Sequence, residues 1–180
     1  MGGREEIITL GGGCFWCMEA VLARLKGVSS AFLGYSGGRV PNPAYEQVST
    51  GATGHAEVVQ VTYDPAVITT RQMLEVFFST HDPTTPNQQG ADIGTQYRSV
   101  IFYHTEEQRR AAEAYIRELT EKKAYDAPIV TRLEPFGAFY PAEEYHERYY
   151  ERNRNAPYSR VVIAPKVEKL QKKFGDKLKG

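Results

Sequence analysis

Cysteine is scarce in this sequence: two in 180 residues, at positions 14 and 17. Net charge is absent, because 22 basic side chains balance 22 acidic ones, so nothing favours a polyanionic partner and nucleic acid is not expected. No apolar run approaches the roughly 18 residues that span a bilayer, which removes the membrane as a partner. The start, "MGGREE", lacks the charged-then-apolar pattern of a secretory signal. Glu6 stands where N-myristoylation wants Ser or Thr. A cytoplasmic location is therefore the expectation, in a compartment where thiols stay reduced. A structural zinc site would need four ligands, and a lone C-x-x-C supplies two. His55, His81, His104 and His146 are isolated along the chain and complete no second half. No metal is expected.

What is present is the composition of a folded protein: 41% hydrophobic residues, with 12 tyrosines and 8 phenylalanines. The length suits a single catalytic domain over 1–180, ending in a basic tail from about 166. That tail, "KVEKLQKKFGDKLKG", sets six lysines against Glu168 and Asp176 and reads as a solvated terminus.

Strands are predicted over 5–10, around "SSAFLGYSGG", over 55–64, 97–104 and 128–135. Helical spacing runs from Cys14 to about Leu25, with Gly27 as a stop. Thr69 or Thr70 caps a second helix to about Ser79, and Thr105 with Gln108 opens a third to about Lys122. Residues 141–153, rich in tyrosine, read as a fourth. Two long polar stretches, 41–54 and 81–96, read as loops, and loops of that length in a compact domain are usually functional. The order implies an α+β fold, a two-layer α/β sandwich with a mixed sheet (a ferredoxin-like core) and long functional loops.

Both cysteines lie in "LGGGCFWC" (10–17). If the helix starts at the glycine run, Cys14 meets unpaired amides and the positive dipole end, which lower a thiol's pKa from about 8.5. The glycines let the chain turn sharply and leave room for a ligand. Cys17 follows one turn later on the same face, within reach of Cys14. Phe15 and Trp16 could wall an apolar slot beside a thiolate. The alternative is two buried cysteines acting as small hydrophobes.

"GGGCFWC", "NPAYEQVSTGATGHAEVVQVTYDP", "DIGTQYRSVIFYHTEEQ" and "FGAFYPAEEYHERYYERN" occur in that order over residues 7 to about 155. Together they resemble the peptide methionine sulfoxide reductase A family. The resemblance implies reduction of methionine sulfoxide, free or within proteins and of the S epimer at sulfur, with oxidised methionine as substrate and thioredoxin as the external dithiol. No prosthetic cofactor is implied, and a monomer is expected. A sulfoxide is a poor electrophile until its oxygen is protonated, so the reaction needs a thiolate, an acid, hydroxyl donors and a methyl slot. Cys14 matches the attacking thiolate. Glu57 in "GHAEVV" matches the acid, although the strand pattern alone would make it a solvent-facing glutamate. Tyr45 and Tyr97 match the phenols that hold the sulfoxide oxygen. Phe15 and Trp16 match the methyl pocket, while Asp92 and His146 match positions that bind the substrate backbone or order the site.

The chain departs from the family pattern in two places. Its C-terminal stretch has no cysteine, and Ser49 in "VSTG" stands where some members carry another. Cys17 is thus the one intramolecular candidate to resolve a sulfenic acid on Cys14, the alternative being a one-cysteine enzyme recycled by an outside thiol. Two rival classes stay open at this level. One is a thioredoxin-like dithiol–disulfide oxidoreductase, the other a binding module for methionine-containing peptides.

Overall fold

The computed structural model describes residues 4–179. Its sheet has six strands in the order β7-β6-β1-β3-β2-β8: β1 (Glu6–Gly11), β2 (Val28–Ser36), β3 (Ala56–Tyr63), β6 (Val100–Tyr103), β7 (Arg132–Pro135) and β8 (Tyr140–Pro141). A separate two-strand ribbon joins β4 (Gln88–Gln89) to β5 (Asp92–Ile93). The four central strands run β6-β1-β3-β2, all neighbours antiparallel. Helices α1 (Phe15–Leu22) and α3 (Thr70–Ser79) make the two crossovers, and α2 (Tyr45–Ser49) is a single short turn. That is the βαββαβ order expected of a ferredoxin-like core, and β7, parallel to β6, makes the sheet mixed.

The central strand β3 is buried on both faces, which is why its simple alternation misreads Glu57 as exposed. Val59, Val61 and Tyr63 face the helices. Ala56 and Val58 face the other way, toward Val100, Phe102, Phe136 and Phe139. Glu57 shares the helical face, because side chains two apart on a strand point the same way.

Helix α1 is apolar nearly all round and has one side chain, Trp16, that is not buried. A helix of that kind must be covered on all sides. The cover comes from the sheet, from α3, from α5 (Tyr149–Arg152) and from α6 (Ala164–Phe174). Here the expectation of a solvated basic tail fails. Residues from 164 form an amphipathic helix whose Val167, Leu170 and Phe174 are buried, while its lysines line the outer side. The lysine count hides an apolar spacing of three and four. Leu170→Ala is accordingly expected to destabilise the protein by about 2–5 kcal/mol in urea unfolding, whereas truncating a residue on a loose tail would change nothing.

Other boundaries shift for local reasons. The Thr69 cap is present, with a reciprocal bond from Gln72. Thr105 caps α4 (Glu106–Glu121), but the Gln108 side chain accepts from the His104 amide instead and donates to Ile7. The expected helix over 141–153 is broken into a 3₁₀ turn at Glu144–His146 and the short α5, with Arg148 between them in a left-handed conformation at φ 55°. The strand expected from 97 begins at Val100, because Thr95–Tyr97 form a 3₁₀ turn. Both polar loops carry structure: α2 lies in the first, and the β4–β5 ribbon in the second.

Candidate active site

Three features meet at the end of β1: the start of α1, the helical face of β3, and the two polar loops. Gly11 closes β1 and Gly13, at φ 96°, turns the chain into α1. A side chain at Gly13 would also collide with the Gln89 side chain 2.6 Å away. The room beside these glycines is thus taken by protein, with the His81 ring against Gly12 and Gln89 against Gly13, and not left for a ligand.

Cys14 is the N-cap of α1, in an extended conformation, and its carbonyl accepts from the Cys17 amide at 3.1 Å. The Phe15 amide donates to Glu57 Oε1 at 3.2 Å, and the Trp16 amide is directed at the Cys14 thiol. The helix end therefore touches both groups, as the position of the glycine run suggested. Its effect on Cys14 is outweighed, however. Burial, the Cys17 thiol and the Glu57 carboxyl all push the Cys14 thiol well up, and the Trp16 amide opposes them less strongly. The expected thiolate is a thiol in the unliganded protein, because desolvation of a buried sulfur exceeds what one helix end returns. The neighbouring Cys17 moves the other way, chiefly through its hydrogen bond with Cys14.

Glu57 is 1% exposed, and its Oε2 has no protein partner among the described residues. Burial raises its carboxyl to about 8, the Phe15 amide opposing. It is thus an acid still holding its proton at neutral pH, next to a thiol. Around them stand half-buried phenols. Tyr45, the first residue of α2, is raised to about 12 by burial and by the nearness of Glu57 and Cys14. Tyr97 is raised by burial and by Glu57, Tyr45, Asp92 and Cys14.

The aromatic wall is continuous. The Phe15 ring lies 6.3 Å from Tyr45, nearly parallel to it, and 5.1 Å from His146. Trp16 stacks flat on Tyr149 at 3.8 Å and meets Tyr158 edge-on at 5.8 Å. Trp16 Nε1 donates to His146 Nδ1 at 3.1 Å, so a neutral His146 keeps its proton on Nε2, which has no protein partner among the described residues. Asp92 accepts from the Tyr158 hydroxyl at 2.6 Å. All nine sequence-predicted residues thus converge on one site. Three others were not foreseen. Glu143 accepts from the Tyr35 hydroxyl and the Tyr45 amide, anchoring the α2 loop, and Tyr158 contacts Cys17. The signal for Glu143 was available only as one acidic residue among several in "PAEEYHE".

Such a site can protonate an oxygen, hold it with phenols and present a thiol sulfur beside it. A profile of the peptide methionine sulfoxide reductase family matches residues 6–178. This chain belongs to that family. It is 60% identical over 172 residues to the peptide methionine sulfoxide reductase MsrA of Sulfolobus acidocaldarius, covering 96% of this chain and 97% of that one. Among solved structures it resembles reduced Mxr1 from Saccharomyces cerevisiae, with a TM-score of 0.79 at 38% identity over 85% of this chain and 88% of that one. It also resembles Mxr1 in complex with Trx2, with a TM-score of 0.55 at 28% identity over 81% of this chain and 85% of that one. No helix among the described residues is long and apolar enough to cross a membrane.

Proposed function

We propose that this chain reduces the S epimer of methionine sulfoxide, free or in proteins, using Cys14 as nucleophile and Glu57 as acid. The observation that carries this reading is the shared helix end. The amide next to Cys14 fixes Glu57 Oε1 and leaves the protonated carboxyl free to face an incoming oxygen. The sulfoxide methyl group rests on Phe15 and Trp16, and its oxygen accepts from Tyr45, Tyr97 and Glu57. Asp92 takes the substrate backbone, and His146, buried and accepting from Trp16 Nε1, orders the site.

As the Glu57 proton moves to the oxygen, the Cys14 sulfur attacks the substrate sulfur, and the Cys14 thiol proton restores Glu57. The S–O bond of the substrate is lost and one to Cys14 is gained. Methionine leaves, its sulfur reduced by an electron pair that the Cys14 sulfur has given up, and Cys14 is a sulfenic acid. Cys17 then displaces the oxygen as water, forming a Cys14–Cys17 disulfide. Thioredoxin reduces that bond by exchange, in keeping with the Mxr1–Trx2 complex. No prosthetic cofactor takes part. Every group in this scheme comes from one chain, so a monomer suffices, with residues 1–180 as one catalytic unit. Two free thiols suit the reducing cytoplasm.

The test is one equivalent of methionine sulfoxide without reductant, followed by mass spectrometry. One equivalent of methionine and a protein lighter by the two thiol hydrogens are expected. Cys17→Ser should still give its first methionine but retain a sulfenic acid, trapped by dimedone, and turn over with thioredoxin at least about tenfold more slowly. No methionine from the parent would sink the reductase reading. Undiminished turnover of Cys17→Ser would remove Cys17 from the cycle.

A further inference from the structure

The second half of that cycle, which rests on Cys17 as the resolving thiol, needs something the first half does not. Cys17 is 1% exposed, so when it attacks the Cys14 sulfenic acid its proton cannot pass directly to bulk water. Among the described residues one hydroxyl touches it. Tyr158 Oη lies 3.8 Å from Cys17 Sγ and donates to Asp92 Oδ2 at 2.6 Å. With its own hydrogen committed to Asp92, the Tyr158 oxygen presents a lone pair to the Cys17 S–H. The ring is fixed edge-on against Trp16, and Tyr158 leads directly into the π-helical turn Ser159–Ile163 that precedes α6.

We propose that Tyr158, backed by Asp92, takes the proton of Cys17 as Cys17 attacks the sulfenic acid of Cys14. The Cys17 proton moves to Tyr158 Oη while the Tyr158 proton moves to Asp92. The Cys17–Cys14 sulfur bond forms and the Cys14–oxygen bond breaks. Glu57, reprotonated in the first half, donates its proton to the departing hydroxyl, which leaves as water. The proton on Asp92 then passes through solvent to Glu57, so both carboxyls end as they began and the net change is one disulfide formed and one water released. The other titratable groups whose charge Cys17 feels are Cys14, Glu57 and, from α6, Lys166. Cys14 and Glu57 are occupied with the leaving oxygen. Lys166, from α6, favours a developing negative charge on Cys17. The segment leading into α6 therefore has a chemical task as well as a structural one, since it brings Tyr158 to this sulfur.

Tyr158→Phe keeps the ring against Trp16 and removes only the hydroxyl. Rapid mixing with one equivalent of methionine sulfoxide should still release one equivalent of methionine, which establishes that the variant is folded and lets disulfide formation be timed from the sulfenic acid. Disulfide formation should be at least about tenfold slower, with the sulfenic acid accumulating and trapped by dimedone. The deficit against the parent should narrow from about pH 6 to about pH 9, as a growing fraction of molecules enters the step with Cys17 already ionised. Disulfide formation at the parent rate would overturn the proposal. So would an equal deficit at every pH, which marks Tyr158 as packing alone. If the parent itself forms no disulfide, the reading of Cys17 fails and the relay falls with it, an outcome visible before any variant is made.

Discussion

Cys14→Ser is expected to reduce turnover by at least about 10⁴-fold, to the level without protein, while methionine sulfoxide still binds. Serine fills nearly the same volume at the N-cap of α1, so the Glu57 contact with the Phe15 amide persists. A hydroxyl oxygen cannot accept the sulfoxide oxygen, because the product would contain a weak O–O bond. Calorimetry of binding beside a methionine assay checks both halves. Unchanged turnover of Cys14→Ser would remove Cys14 as the nucleophile.

Glu57→Gln is expected to slow methionine release about 10²–10⁴-fold, the range for loss of a positioned general acid. The pH dependence identifies the group. Glu57 is protonated below its value of about 8 and loses its proton above it. The parent rate should therefore be level through neutrality and fall about tenfold per pH unit above about 8, and the glutamine variant should lack that fall. Stability should move in the opposite direction. The folded value lies above the ordinary 4.5, so the stabilising preference for the protonated form is complete below 4.5 and is lost as pH rises toward about 8. At pH 7 most of that loss has occurred, and an uncharged glutamine avoids it. Glu57→Gln should thus be about 3 kcal/mol more stable than the parent at pH 7 and about equal to it near pH 4, measured by urea unfolding at both pH values. A variant less stable at pH 7 would contradict the buried acid, whatever its activity.

The two effects have one cause. Central placement of β3 removes water from Glu57, which costs the fold stability and keeps the proton that the chemistry uses. No reading of "GHAEVVQVTYD" by alternation could separate a buried glutamate from an exposed one. Burial on both faces depends on which strands flank β3, and those are supplied by residues tens of positions away. The same holds for Cys14. Its place at a helix start was legible from the glycines, but the direction of its pKa was not, since the sulfur's enclosure comes from other segments.

Helix caps, the C-x-x-C pair and the order of strands and helices were readable because they depend on neighbours within a few residues. Thr69 with Gln72 and the turn at Gly13 are of this kind. The C-terminal helix was misread because the six lysines of 166–180 dominate composition, while Val167, Leu170 and Phe174 become meaningful only with α1 present to receive them. The helix expected over 141–153 was misread for a similar reason. His146 and Tyr149 are pinned to Trp16 by a hydrogen bond and a ring stack, and a straight helix gives way to a left-handed turn at Arg148.

By itself, then, the sequence determined the local pieces: a thiol pair at a helix start after three glycines, the capped helices, and the four blocks that relate the chain to its family. Only the tertiary structure decided that Glu57 keeps its proton, that Cys14 rests as a thiol, and that Tyr158 stands between Cys17 and Asp92. Those are properties of enclosure and long-range approach, set by desolvation and by contacts spanning 42 to 141 residues, as between Phe15 and Glu57 or Cys17 and Tyr158.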